Sequence, residues 1–174
     1  MRISQAMLDA LNAQIKMEFQ ACHYYMASAA EMEERSLVAL AALMWEQADE
    51  ERVHAMKIVR HVIAMGAKPA FEGIDAPKVQ DGSVEAQLQS ALDNEQAVTD
   101  AIHKIVALAE KENDFPTRGF IQWFVDEQME ELDKFETLVA WAKLAGDNLL
   151  LLEQRVQGFN FIQVVAWREL QIAF

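Results

Sequence analysis

The sequence predicts an all-α protein: a four-helix bundle over about residues 4–145, with a long crossover between helices two and three, plus a short fifth helix. Apolar residues recur in steps of three and four along four long runs of the chain, as in helices buried on one face. The chain has only six glycines and three prolines, and most of them lie between Gly66 and Gly82. That clustering indicates one long connection rather than many short turns.

The composition is that of a folded, acidic protein. The 174 residues fit one domain, 1–174, with 52% hydrophobic and 25% charged residues. The formal net charge of −13 argues against nucleic acid and membrane as partners and suits the attraction of cations. The single cysteine, Cys22, excludes an internal disulfide, and neither a signal peptide nor a membrane span is visible in the sequence. We therefore expect a cytoplasmic protein.

The first two helices are expected to form a hairpin. Ser4 can cap a helix that runs to about Glu34, and a short break leads into a second run from Leu37 to Met65. So short a link makes the two helices antiparallel neighbours.

The next connection, from Ala67 to Ser83, is unusually long for a compact domain. At about 3.3 Å per residue, about 17 extended residues reach roughly 55 Å. A helix of about 28 residues is only about 42 Å long. The connection can therefore cross the whole bundle, and the third helix can start at the end where the second began.

The second half of the chain repeats the hairpin and then departs from it. The third helix begins near Val84 and the fourth ends near Ala145. Asp147 can cap a fifth helix over about 148–157, and a strongly apolar tail follows over 158–174.

Several polar residues lie in the apolar seams of these helices. Glu51 and His54 share one face of the second helix, and Glu18 occupies a seam position in the first. A buried carboxylate is costly unless it is paired, protonated or bound to a metal. These residues are therefore the first candidates for a functional site.

The polar seam residues repeat at a fixed offset of 77 positions. This offset relates Glu18 to Glu95, and it relates the pair Glu51 and His54 to the pair Gln128 and Glu131. Two hairpins related by a pseudo-two-fold axis would bring all of these side chains to one level of the core.

Carboxylates at one level of a core would repel one another, and two divalent cations would resolve that repulsion. Carboxylate and imidazole ligands suit iron, manganese or zinc. We expect Glu18, Glu51 and His54 to hold the first ion. The second ion would be held, more weakly because it has no nitrogen ligand, by Glu51 as a bridge with Glu95, Glu131 and Gln128. The alternative is a structural polar layer without metal, although polar residues in register on four helices favour a metal site.

Further residues near this level have two interpretations each. Tyr25 either bonds a ligand or donates an electron during oxygen reduction, or it simply packs in the core with its hydroxyl bonded. Trp123 has the same two interpretations, of which core packing is favoured. The acidic residues beside the pair either hold a third ion that shares Glu131, or form a solvated face; they are Glu50, Glu127 and Glu130.

At this point the sequence resembles the bacterial non-haem ferritins over about residues 5–157. The resemblance rests on Glu18 with Tyr25, the segment EERVH at 50–54, Glu95, and the segment FIQWFVDEQMEE at 120–131. It implies a ferritin-like bundle assembled as a hollow cage of 24 identical subunits. It also implies ferroxidase activity, in which oxygen or peroxide oxidises Fe(II) at a di-iron centre and ferric mineral is stored inside.

The resemblance assigns the site residues to three iron positions. Glu18, Glu51 and His54 match the tighter iron site, and Glu51, Glu95, Gln128 and Glu131 match the second. The third iron site is matched by Glu50, Glu127, Glu130 and Glu131. No haem is expected, because Arg52 stands where haem-containing relatives have a methionine ligand.

Two other functions remain open from the sequence: a di-metal bundle oxidase that stores no iron, and a passive metal-binding cage. The apolar tail also departs from the ferritin pattern. It either packs on the cage wall and neighbouring subunits or docks a partner, because left exposed it would aggregate.

Overall fold

The computed structural model describes residues 2–79 and 82–159 of the chain. Over these ranges the protein is all-α and contains no strand, which confirms the predicted fold class. Its elements are α1 Gln5–Glu34, α2 Val38–Ala64, α3 Val84–Glu112, α4 Phe115–Ala145 and a fifth helix, α5, over 149–159. Within the described ranges, no helix is both long enough and apolar enough to cross a lipid bilayer.

Short polar residues fix where the helices start. The Ser4 hydroxyl accepts a hydrogen bond from the Met7 amide at 3.0 Å, as predicted. The Ser83 hydroxyl does the same for α3. The predicted cap of the fifth helix was wrong: the Asn148 side chain, not that of Asp147, accepts the Leu151 amide at 3.2 Å. The two residues are adjacent and both suit a helix start, so the sequence did not distinguish them.

The core consists of two apolar clusters, one on each side of a polar layer. In α1 the residues up to Ile15 belong to one cluster, and those from Ala21 onward belong to the other. The order is reversed in α2 and α3 and restored in α4. Helices α2 and α3 therefore run in the same direction, so the crossover spans the bundle as predicted, and the polar layer lies between the two clusters.

The crossover lies along the polar face of α1. The side-chain oxygen of Asn12 accepts a hydrogen bond from the Ala70 backbone amide at 2.9 Å. The Gln20 side chain makes two hydrogen bonds to the Asp75 backbone, at 2.9 and 3.0 Å. Asn12 and Gln20 are two helical turns apart, so the connection follows the helix axis.

Helix α5 docks where α2 begins. Its Leu152 and Val156 side chains are buried in one apolar cluster. The Glu153 carboxylate accepts the amides of Ala39 at 2.8 Å and Leu40 at 2.9 Å. No side chain of its own caps the start of α2, so the distant Glu153 satisfies these first-turn donors. The predictions for the tail beyond Phe159 lie outside the described residues.

Candidate metal centre

The centre of the polar layer is formed by three side chains of the first hairpin. Glu18 comes from α1, and Glu51 and His54 lie one turn apart on α2. Both glutamates are fully buried and His54 is 3% exposed. One ligand atom from each of the three lies within 4.8 Å of the other two. These are the residues that the sequence predicted for the first ion, and the structure brings them together.

Unpaired polar atoms converge on this point. Within the described residues, Glu18 Oε2, Glu51 Oε2 and His54 Nδ1 are buried without a hydrogen-bond partner, and so is Glu95 Oε2 on α3. The His54 Nδ1 atom is 3.5 Å from Glu51 Oε2 and 3.9 Å from Glu18 Oε2. Buried polar groups are normally satisfied, so a set of unpaired oxygens around an imidazole nitrogen fits a divalent cation.

The other oxygen of each glutamate is held in place by a glutamine four residues earlier. The Gln14 amide donates to Glu18 Oε1 at 2.8 Å, and the Gln47 amide donates to Glu51 Oε1 at 3.1 Å. One oxygen of each carboxylate is thereby fixed, and the other is left for a ligand. Such supporting hydrogen bonds orient metal ligands in proteins.

The pKa values of Glu18 and Glu51 are shifted in opposite directions. Burial, reinforced by the charge of Glu51, raises the pKa of Glu18 well above its ordinary value. Burial would also raise the pKa of Glu51, but the close approach and charge of His54 outweigh it and lower that pKa. The same contact raises the pKa of His54 against the opposing effect of burial. These shifts favour a charged Glu51–His54 pair and oppose the ionisation of Glu18.

Glu95 extends the site to the second hairpin. Burial, together with the charges of Glu51 and Glu131, raises its pKa well above the ordinary value. The Tyr25 hydroxyl donates a hydrogen bond to Glu95 Oε1. Tyr25 is fully buried and its ring stacks on Phe135 at 5.6 Å between centroids. Tyr25 is therefore both a core residue and a partner of an expected ligand.

The two α4 residues of the predicted set face the same layer but are already hydrogen-bonded. The Thr99 hydroxyl donates to Gln128 Oε1 at 2.8 Å. Glu131 Oε2 accepts from the Gln47 amide at 2.9 Å. Both residues are 2% exposed. Either would have to exchange a protein partner for a cation.

Comparison with known proteins decides the family. The model of the Ferritin-like domain matches residues 8–145. The chain belongs to the ferritin family. It is 35% identical over 158 residues to a bacterial non-heme ferritin of Staphylococcus aureus, covering 90% of this chain and 95% of that one. It is 36% identical over 162 residues to the one from Staphylococcus saprophyticus, with coverages of 91% and 97%.

Solved structures agree with this family. A novel open pore ferritin from the hyperthermophilic archaeon Archaeoglobus fulgidus superposes with a TM-score of 0.85 at 32% identity. The match covers 89% of this ferritin chain and 98% of that one. A humanized archaeal ferritin gives a TM-score of 0.86 at 32% identity, with coverages of 89% and 96%.

The residues predicted for a third ion have different surroundings in this ferritin chain. Glu50 is partly buried, and burial raises its pKa to about 7 although the Lys134 charge opposes that shift. Glu127 Oε1 approaches His54 Nε2 at 3.9 Å, and Glu130 is exposed. Among the described residues, the cluster with metal-binding geometry contains only the first-ion set.

The prediction that Trp123 packs in the core was wrong. Trp123 is 38% exposed rather than part of the core. Its ring packs edge-on against the His54 ring at 5.4 Å between centroids, and the Lys57 ammonium lies over the Trp123 ring, 2.9 Å from its centroid. Position 123 lies just outside the buried stripe of α4, so a large ring can cover the imidazole and still reach solvent.

Four residues of the layer were not assigned to the site from the sequence: Gln14, Gln47, Thr99 and Lys134. The glutamines carry a recognisable signal, because each precedes a ligand glutamate by four residues on the same helix face. Lys134 is only 8% exposed. Its burial was not predictable, because lysine is rarely placed inside a core.

Proposed function

We propose that this chain is an iron-storing ferroxidase of the cytoplasm. Oxygen or peroxide would oxidise Fe(II) at a di-iron centre within each subunit, and ferric mineral would be stored inside a cage of 24 copies. The observation that carries the proposal is the convergence of unpaired Glu18, Glu51 and His54 atoms within 4.8 Å in a buried layer. The relatives named bacterial non-heme ferritins support the same reading.

The residues divide the work between two substrate ions. Glu18, Glu51 and His54 would hold the first Fe(II). Glu51 would bridge to a second Fe(II), which would also be held by Glu95, Gln128 and Glu131. Each Fe(II) would give up one electron and become Fe(III), and the two electrons together with two protons from solvent would reduce dioxygen to hydrogen peroxide, or hydrogen peroxide to two waters.

Two features of the layer favour release of the oxidised ions rather than their retention. The second ion has only oxygen and amide ligands, so it is held more loosely than the first. Binding also competes with protonation of Glu18 and Glu95, because burial raises the pKa of both carboxyls well above its ordinary value. A loosely held product suits a centre through which iron passes into a store.

The test is iron retention after aerobic loading with Fe(II) followed by gel filtration. The expected result is iron well above two ions per chain, eluting with a very large particle. Glu51→Ala should abolish rapid oxygen consumption, because it removes the bridging ligand. Glu46→Ala, an exposed glutamate of the same helix, is the matched control and should behave as wild type.

The outcomes separate the three functions left open by the sequence. About two ions per chain on a small species would point to a bundle oxidase without storage. Retention of iron without oxygen consumption would point to a passive cage. An unchanged oxidation rate in Glu51→Ala would contradict the assigned centre.

A further inference from the structure

A buried lysine lies beside the candidate metal centre. The Lys134 ammonium is 2.9 and 3.0 Å from the two Glu131 oxygens and 3.3 Å from Glu50 Oε2. It also donates to Gln47 Oε1 at 2.9 Å. An ammonium has three hydrogens, and here four acceptor atoms on α2 and α4 surround it.

Gln47 connects this lysine to the bridging ligand. Its carbonyl oxygen accepts from Lys134, while its amide nitrogen donates to Glu131 Oε2 and to Glu51 Oε1. Gln47 is 1% exposed, so water does not compete for these bonds. The position of the ammonium is therefore coupled to both Glu51 and Glu131.

The ammonium occupies the region that the sequence predicted for a third ion. That ion would share Glu131 and use Glu50, which are the two carboxylates that Lys134 joins. A divalent cation bound between Glu50 and Glu131 would lie in the space of the ammonium, and the two charges would repel each other. The remaining third-ion candidates, Glu127 and Glu130, do not contact the lysine in the bonds described.

The other half of the bundle shows that this placement is specific. The offset of 77 residues that relates the two hairpins also relates Lys57 to Lys134. Lys57 turns away to the Trp123 ring and is only partly buried. A lysine at this helical position therefore need not place its ammonium in the carboxylate layer.

We propose that Lys134 is a positioning residue that takes the place of a third metal ion. Its ammonium supplies a counter-charge shared by Glu131 and Glu50, holds Glu131 through both oxygens, and limits the centre to two divalent ions. The inference rests on the proposed di-iron function, because it concerns how many substrate ions the same layer accepts.

The test is the stoichiometry of Zn²⁺ binding, measured by isothermal titration calorimetry on the full-length assembled protein after removal of metal with a chelator. Zn²⁺ is redox-inert, so the readout is independent of iron oxidation. Wild type should bind two tight ions per chain. Lys134→Met, which keeps the chain length but removes the charge, should bind one additional ion per chain.

Two further variants make the comparison secure. Lys134→Gln retains a polar side chain and should also gain an ion, so the test does not depend on a single substitution folding well. Lys143→Met removes an exposed lysine from the same helix and should keep the wild-type stoichiometry. If Lys143→Met gained as many Zn²⁺ ions per chain as Lys134→Met, the inference would be overturned, because the loss of any positive charge would then explain the extra binding.

Failure of this inference differs from failure of the proposed function. Three tight ions in wild type, or two in both Lys134 variants, with binding weakened by Glu51→Ala, would reject the role of Lys134 and keep the metal centre. Identical Zn²⁺ binding in wild type and Glu51→Ala would reject the metal centre itself, and with it the inference.

Discussion

At the scale of single residues, the polar layer must balance the charges of its buried carboxylates. Glu18, Glu51 and Glu95 need a counter-charge because burial removes their hydration. The raised pKa of His54 favours a positive charge beside these groups, and the raised pKa values of Glu18 and Glu95 favour protonation of their carboxyls. A divalent cation can replace those protons without rearrangement of the helices, because the free oxygens already face one another.

Tyr25 tests whether the second hairpin takes part in the chemistry. Tyr25→Phe keeps the buried ring but removes the hydroxyl that donates to Glu95. We expect Fe(II) oxidation to slow by about two- to thirteenfold, the range that corresponds to one hydrogen bond of roughly 0.5–1.5 kcal/mol. The measurement is the initial rate of oxygen consumption, together with the thermal midpoint as a check on packing.

Tyr24→Phe is the matched control for this experiment. The Tyr24 hydroxyl is also buried, but it donates to the Gln87 carbonyl at 3.3 Å rather than to a site carboxylate. Its oxidation rate should stay at the wild-type value. Equal rates in wild type and Tyr25→Phe would assign Tyr25 to core packing alone.

At the scale of the elements, the sequence determined the helices and most of the layer, and the reasons are local. Periodicity predicted both ends of α1 and α2, the start of α3 and the end of α4 to within two residues, and the Ser4 cap supported the start of α1. The seam positions of Glu18, Glu51, His54 and Glu95 were predictable because a helix fixes which residues share a face.

Contacts between distant elements were not predictable in the same way. The capping of α2 by Glu153 joins residues more than a hundred positions apart, and nothing in the local sequence marks it. The burial of Lys134 likewise depends on α2 supplying Gln47 and Glu50. Such pairings follow from how the helices pack, which periodicity leaves undetermined.

Glu153 yields a prediction for α5. Glu153→Ala removes the acceptor for two first-turn amides of α2, and lost N-terminal caps cost about 1–2 kcal/mol. We expect a lower thermal midpoint and faster amide exchange at Ala39 and Leu40, measured by hydrogen–deuterium exchange mass spectrometry. Gln154→Ala, an exposed change in the same helix, should leave both unchanged. Unaltered exchange in Glu153→Ala would mean that the bond contributes nothing to the docking of α5.

At the scale of the whole molecule, stability and metal binding draw on the same buried charges. The formal net charge of −13 already disfavours the compact state as pH rises. The polar layer adds to this, because the raised pKa values of Glu18 and Glu95 make these two carboxyls harder to ionise in the folded protein than in the unfolded chain. The metal-free protein therefore keeps a centre suited to iron at the expense of stability near neutral pH.

The sign of the pH dependence follows from the individual shifts. Glu18, Glu95 and Glu50 have pKa values raised from 4.5, to about 7 for Glu50, so the folded protein holds more protons and loses stability as pH rises. The raised pKa of His54 acts in the same direction above about pH 6.5. Two groups act in the opposite direction. The lowered pKa of Glu51 adds stability as pH rises through the acid range, and this gain is complete above about pH 4.5. Burial lowers the pKa of His61, which adds stability as pH rises toward 6.5. The sum predicts a fall between about pH 5 and 8.

Thermal unfolding of chelator-treated protein between about pH 5 and 8 measures the combined effect of these groups on stability. The midpoint of wild type should decrease steadily from pH 5 to 8. Glu95→Gln should show a shallower decrease, because it removes one buried group that must ionise, whereas the exposed change Glu46→Gln should keep the wild-type slope.

Saturating Zn²⁺ should raise the midpoint most at pH 8, because the ion then replaces protons that the ligands have lost. A midpoint that rises with pH, or equal slopes in wild type and Glu95→Gln, would mean that these carboxylates are not protonated in the folded protein and that another counter-charge balances the layer.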